Sequence, residues 1–149
     1  MNIPTIPFLI INWNFSVHRS RTICISVKKK TGDAFDAVLN IPPKLMPDAK
    51  IDDDGWWSFT GPHGKSYLKF NEHKPNGILD HQFIDEESTW TVPMRVIPSG
   101  DYSEIQITLN KPAELNDEQF DQRISEMGEM IILMKNIIES DTWDNYFLS

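Results

Sequence analysis

The sequence predicts an α+β protein in which an antiparallel β-meander wraps around a long C-terminal helix. Three observations point there. Short segments between residues 15 and 109 alternate apolar and polar side chains, the period of a strand with one face buried. Clusters of Gly, Pro, Asn and Asp separate these segments, as turns between consecutive antiparallel strands require. Residues 116–140 instead repeat apolar side chains at steps of three and four, the period of a helix.

Length and composition bound the answer. The 149 residues suit one domain, and 40% hydrophobic with 24% charged residues is the make-up of a soluble globular chain. Aromatic content is 11%, with five Trp and eight Phe, so a sizeable core or an apolar cavity is expected. A net charge of −8 argues against nucleic-acid binding, which needs clustered Lys and Arg to neutralise phosphates. The lone Cys24 excludes an internal disulfide and a multi-cysteine zinc site, and a cytoplasmic location is expected. No stretch reaches the roughly 18 apolar residues of a membrane span. Ile6-Pro7-Phe8-Leu9-Ile10-Ile11 is too short and lacks the basic leader of a signal peptide.

The elements follow in order. Residues 1–14, interrupted by Pro4 and Pro7, read as an N-terminal extension, and residues 15–149 as the single domain. Phe15 to Val27 is a strand in which Ile23, Ile25 and Val27 alternate with Thr22, Cys24 and Ser26. Lys28, Lys29 and Lys30 form its solvated end. Thr31 offers an N-cap, Asp33 favours the helix dipole, and Phe35, Val38 and Leu39 make one apolar stripe of a short helix. Pro42 and Pro43 are expected to end it. Residues 44–54 read as a loop with room for one helical turn.

Five strands come next: Gly55 to Thr60, Lys65 to Glu72, Ile78 to Ile84, Thr89 to Ile97 and Tyr102 to Leu109. Gly61-Pro62-His63-Gly64, Pro75-Asn76-Gly77, Asp85-Glu86-Glu87-Ser88 and Ser99-Gly100-Asp101 join them as turns. The last element is the clearest. Asn116 to Gln119 resembles a capping box, and Phe120, Ile124, Met127, Ile131, Met134 and Ile138 line one helix face as far as about Ser140. Gly128 weakens this helix by about 1 kcal/mol against Ala. Trp143, Tyr146 and Phe147 are aromatic residues placed to cover the edge of the core.

A meander with one apolar face needs a cover, and the long helix supplies a stripe of matching length. Folding the twisted sheet around it gives a helix-grip arrangement, with a gap that can stay open as a pocket.

Two stretches carry a family resemblance. The run Trp90-Thr91-Val92-Pro93-Met94-Arg95-Val96-Ile97-Pro98-Ser99-Gly100-Asp101-Tyr102-Ser103-Glu104-Ile105 is similar to a hairpin in bacterial START-like (SRPBCC) proteins. Lys111-Pro112-Ala113-Glu114-Leu115-Asn116-Asp117-Glu118-Gln119-Phe120 resembles the lead-in to their C-terminal helix. This superfamily includes polyketide cyclases, plant pathogenesis-related allergens and activators of the heat-shock chaperone ATPase. The resemblance covers roughly residues 15–140 and implies a helix-grip fold holding a small hydrophobic ligand, lipid-like or polyketide-like, without a cofactor. It leaves open a cyclase- or dehydratase-type enzyme, and an interaction protein that activates a chaperone ATPase. Six strands are counted where larger members have seven, and the first helix is short, so a smaller cavity is expected.

Trp57, Phe59, Phe70, Phe83 and Trp90, with Met94, Met127, Met130 and Ile131, are the candidate cavity residues, either lining a pocket or filling a core. His81 shares the parity of Leu79 and Phe83, so it points inward if they do, as a core histidine, a ligand contact or an acid or base. His63 and His73 lie in turns and are expected in solvent, and His18 lies near Arg19 and Arg21 on the first strand. No histidine pair has metal-ligand spacing. Arg95 has the opposite parity to Trp90: turned inward it would bind a ligand carboxylate by a fork of two hydrogen bonds, and turned outward, as the alternation favours, it sits on the convex face in a cross-strand pair. Asp52, Asp53 and Asp54 lack the spaced oxygen ligands of a calcium loop and read as a solvated turn.

Overall fold

In the computed structural model, residues 19–140 are described. The N-terminal extension, Phe15 to His18, and the aromatic tail from Trp143 to Phe147 lie outside them.

Alternation builds the sheet. Ile105, Ile107 and Leu109 are buried while Glu104, Gln106 and Thr108 on the other face stay half-exposed. The strands are β1 (Ser20–Val27), β2 (Lys50–Ile51), β3 (Trp56–Gly61), β4 (Gly64–His73), β5 (Ile78–Ile84), β6 (Thr89–Val92), β7 (Met94–Ser99) and β8 (Tyr102–Asn110). They form one antiparallel sheet in the order β1-β8-β7-β5-β4-β3-β2, with β6 also paired to β5.

The sheet has eight strands rather than six, for two local reasons. The expected strand from Thr89 to Ile97 divides at Pro93, which has no N–H to give to a ladder. Trp90, Val92, Met94 and Val96 are all buried across the break. The second reason is β2. Asp48 accepts the Thr60 N–H at 3.0 Å and Asp52 accepts the N–H groups of Asp54 and Trp56 at 2.9 and 3.0 Å. These side chains fold residues 48–56 back so that Lys50 and Ile51 pair with Ser58 and Trp57.

Two short helices follow β1. Helix α1 (Thr31–Leu39) begins at Thr31 rather than being capped by it, and its N-cap Lys30 makes no side-chain bond to the helix. Helix α2 (Pro42–Leu45) starts at the prolines expected only to end α1, because a proline ring suits the first turn, where no N–H is needed. α1 packs on β7 and β8 and against the last helix.

That helix, α3 (Asp117–Ile138), spans about 33 Å at 1.5 Å per residue. Its capping box is complete: Asn116 Oδ1 accepts the Gln119 N–H and Gln119 Oε1 accepts the Asn116 N–H, both at 2.8 Å. Phe120, Ile131, Met134 and Ile138 are buried against the sheet, where the Phe120 ring stacks on Trp90 at 6.1 Å. Among the described residues no helix is long and apolar enough to cross a membrane.

Candidate functional site

The inner face of the sheet and the apolar stripe of α3 do not close on each other along their whole length. Between them lies a cavity of about 230 Å³, lined almost wholly by apolar atoms. Strand parity selects its walls. Phe59 on β3, Phe70 on β4, Phe83 on β5, Trp90 on β6 and Met94 on β7 face inward, and Met127, Met130 and Ile131 face them from α3. Trp57 shares the parity of Phe59 but lies outside the lining: the wall passes from Phe59 to Leu68 and Phe70 on β4, and Trp57, opposite Leu68 on the strand next to the sheet's edge, falls beyond it. Val38, Ile41, Pro42, Leu45 and Met46 complete the wall. They come from α1, the link between α1 and α2, α2 itself and the residue after it, a region the sequence pattern describes only as a short helix and a loop.

One end of the cavity carries charge. Arg123 enters from α3 and donates to Asp85 Oδ2 at 2.8 Å and to Glu87 Oε1 at 2.9 Å. Asp85 Oδ1 accepts the Glu87 and Ser88 N–H groups, both at 2.9 Å. The Ser88 hydroxyl takes the Trp90 indole N–H at 2.7 Å. Burial disfavours the Asp85 carboxylate, but the Arg123 hydrogen bond, the backbone donors and the Arg123 charge outweigh it and hold the carboxyl below its ordinary value. Burial likewise opposes the Arg123 charge, and the bonds to Asp85 and Glu87 overcome it and raise its pKa.

His63 belongs to this cluster and is not the solvated turn residue the sequence predicts. Its side chain is 22% exposed, with Nε2 at 2.6 Å from Glu126 Oε1 and Nδ1 at 3.3 Å from Glu87 Oε1. The tight Gly61–Gly64 hairpin between β3 and β4 carries the ring to α3. Burial disfavours the Glu126 carboxylate, and the hydrogen bonds from His63 and Gln122 more than compensate, so its pKa is lowered. The sequence does hold a signal for Arg123: it falls three residues after Phe120 on the buried face of α3, where a guanidinium needs carboxylates. His73 is exposed as expected, but it is the last residue of β4, paired with Ile78, rather than part of the turn, and His18 is outside the described residues.

His81 lines the cavity from the middle of β5, with its ring edge-on to Phe70 at 5.3 Å. Its Nδ1 lies 3.0 Å from the Leu79 carbonyl. Burial pushes the imidazole pKa down, against the opposing effects of the Leu79 bond and the Asp80 charge. Arg95 faces the other side of the sheet, where it pairs with Asp80 and donates to the Met94 carbonyl at 2.8 Å. Asp52, Asp53 and Asp54 are exposed. No group of three or more His, Cys, Asp or Glu among the described residues could hold a metal ion.

An antiparallel sheet gripping a long C-terminal helix, with a cavity between them, is the START-like helix-grip fold. No family model matches the sequence, and no curated protein matches it. Solved structures do match at the level of fold. An uncharacterised protein from Bacillus thuringiensis has a TM-score of 0.67 at 10% identity, covering 82% of this chain and 100% of that one. A START superfamily protein from Mycobacterium smegmatis gives 0.58 at 9% identity, over 77% and 92%. Norcoclaurine synthase from Thalictrum flavum, in complex with dopamine and hydroxybenzaldehyde, gives 0.58 at 16% identity, over 87% and 91%.

Proposed function

We propose that this protein binds a small hydrophobic molecule, lipid-like or polyketide-like, between the sheet and α3. The observation that carries this reading is the open space of about 230 Å³ behind an apolar lining. A core of this size ordinarily packs to near-crystal density, so a void walled by Met and aromatic side chains is space held for a guest. The Met side chains Met94, Met127, Met130 and Met134 adapt to more than one guest shape. The norcoclaurine synthase described with dopamine and hydroxybenzaldehyde supports small organic molecules as the ligand class for this architecture.

Binding is better supported than cyclase- or dehydratase-type turnover. The carboxylates of the lining are already engaged, Asp85 by Arg123 and Glu126 by His63, and their lowered pKa values suit charge pairing rather than proton transfer, which leaves His81 without an acid or base partner to work with.

A thermal-shift series with naphthalenes, long-chain alcohols and aromatic polyketides, followed by native mass spectrometry, tests the reading. Binding raises the melting temperature with the logarithm of ligand concentration over Kd, and a one-to-one complex survives in the spectrum. A flat response to every compound in the series, with no adduct, overturns it.

A further inference from the structure

Among the described residues, His81 is the one imidazole on the cavity wall that no carboxylate holds. Its Nδ1 lies 3.0 Å from the Leu79 carbonyl. A carbonyl only accepts, so Nδ1 carries the hydrogen and donates it. In the neutral ring, Nε2 is then a bare acceptor. Burial favours this neutral form. Nε2 has no protein partner among the described residues, and the surrounding wall is Phe70, Phe83, Val92 and other apolar side chains. An acceptor left unmet in such a setting is destabilising, so it selects a guest that donates.

We infer that His81 Nε2 is a ligand-recognition point, and that the cavity takes a neutral apolar molecule bearing a hydroxyl, an alcohol or phenol, which donates to it. The inference rests on the cavity-binding reading and narrows it. A carboxylic acid is disfavoured twice. Its carboxylate would face the lone pair of Nε2, and Glu126 and Asp85 also line the cavity. Arg123 does not offset this, since its single positive charge is already paired with the two carboxylates of Asp85 and Glu87. His81 stands four residues from Asp85, about 13 Å along the chain at 3.3 Å per residue. The hydroxyl is therefore read at a point separate from the charged end, with apolar wall between.

Two probes of nearly equal shape test this: 2-naphthol, which donates, and 2-methoxynaphthalene, which does not. In an apolar pocket without an acceptor the ether binds better, because burying an unmet hydroxyl is costly. In the wild type, 2-naphthol is expected to bind at least as tightly as the ether. In His81→Leu the ratio of naphthol to ether affinity falls about tenfold, what one neutral hydrogen bond supplies. An unchanged ratio overturns the role of His81 and leaves cavity binding standing. Failure of both probes to bind the wild type overturns both. Should His81→Leu not fold, imidazole nitrogen NMR on the wild type decides: 2-naphthol must move the His81 Nε2 resonance in the direction of an accepted hydrogen bond while the ether does not. Equal shifts from the two probes sink the inference.

Discussion

The Arg123 guanidinium meets Asp85 Oδ2 at 2.8 Å with only 9% and 1% of the two side chains exposed, and this pair ties α3 to the turn between β5 and β6. Two charges removed from water stabilise little net, because desolvation cancels most of their attraction. Losing one partner is another matter, since the other charge stays buried and unmet. Asp85→Ala also strips the acceptor from the Glu87 and Ser88 N–H groups. It is expected to cost about 3–5 kcal/mol, read from urea unfolding. The double variant Asp85→Leu with Arg123→Met should recover much of that loss, because no isolated charge remains.

Acid should attack the same end of the molecule. Asp85 and Glu126 have pKa values lowered in the folded state, so the unfolded chain binds their protons first as pH falls. Their contribution is fully present above the ordinary carboxyl range near 4 and is lost as pH drops through that range to their folded values. Unfolding free energy followed from pH 6 to about pH 2 should therefore decline in that window. The decline should be shallower in Glu126→Gln. A Glu126→Gln curve parallel to the wild type would contradict the pairing with His63.

Much of this architecture was legible because its cause is local. The alternation of Ile105, Ile107 and Leu109 and the stripe from Phe120 to Ile138 each state which face is buried before any partner is known. The charged end of the cavity was not legible. Arg123 and Asp85 lie 38 residues apart, and only the assembled sheet brings the Asp85 turn under α3. His63 misled for the same reason: Gly-Pro-His-Gly states that a turn forms and not what the turn touches. Trp57 shows the limit of parity, which assigns a face but not how far across the sheet the cavity extends.

Gly77 should tolerate nothing larger. It closes the Lys74–Asn76 turn with φ at +65°, in the left-handed region, and its carbonyl takes the Val96 N–H at 2.8 Å. A Cβ there would collide with the Val96 carbonyl oxygen. Gly77→Ala is therefore expected to lose more than about 1 kcal/mol, from backbone strain plus displacement of β7, measured by thermal unfolding.

Gly128 is the opposite case. It lies in the middle of α3, and an added methyl would meet no atom of the described residues within 4 Å. The glycine is thus the weak spot in the helix that its sequence position suggests, with no close-packed neighbour among those residues. Gly128→Ala should stabilise the protein by roughly 0.5–1 kcal/mol through helix propensity alone, with no change in ligand affinity.

Filling the cavity separates a pocket from a core. Met127 on α3 is partly buried and lines the space between helix and sheet. Met127→Trp adds volume that a close-packed core would resist at a cost of about 1–3 kcal/mol. Here the indole has a void to enter, so the stability should change by less than about 1 kcal/mol and could rise through the apolar area it buries. The same variant should lose binding of 2-naphthol and of its methyl ether alike, since both compete with the indole for one space. This pattern differs from that of His81→Leu, which discriminates between the two. A large loss of stability would mean that the space is not available to a guest. Unaltered binding of both probes would place them elsewhere on the molecule.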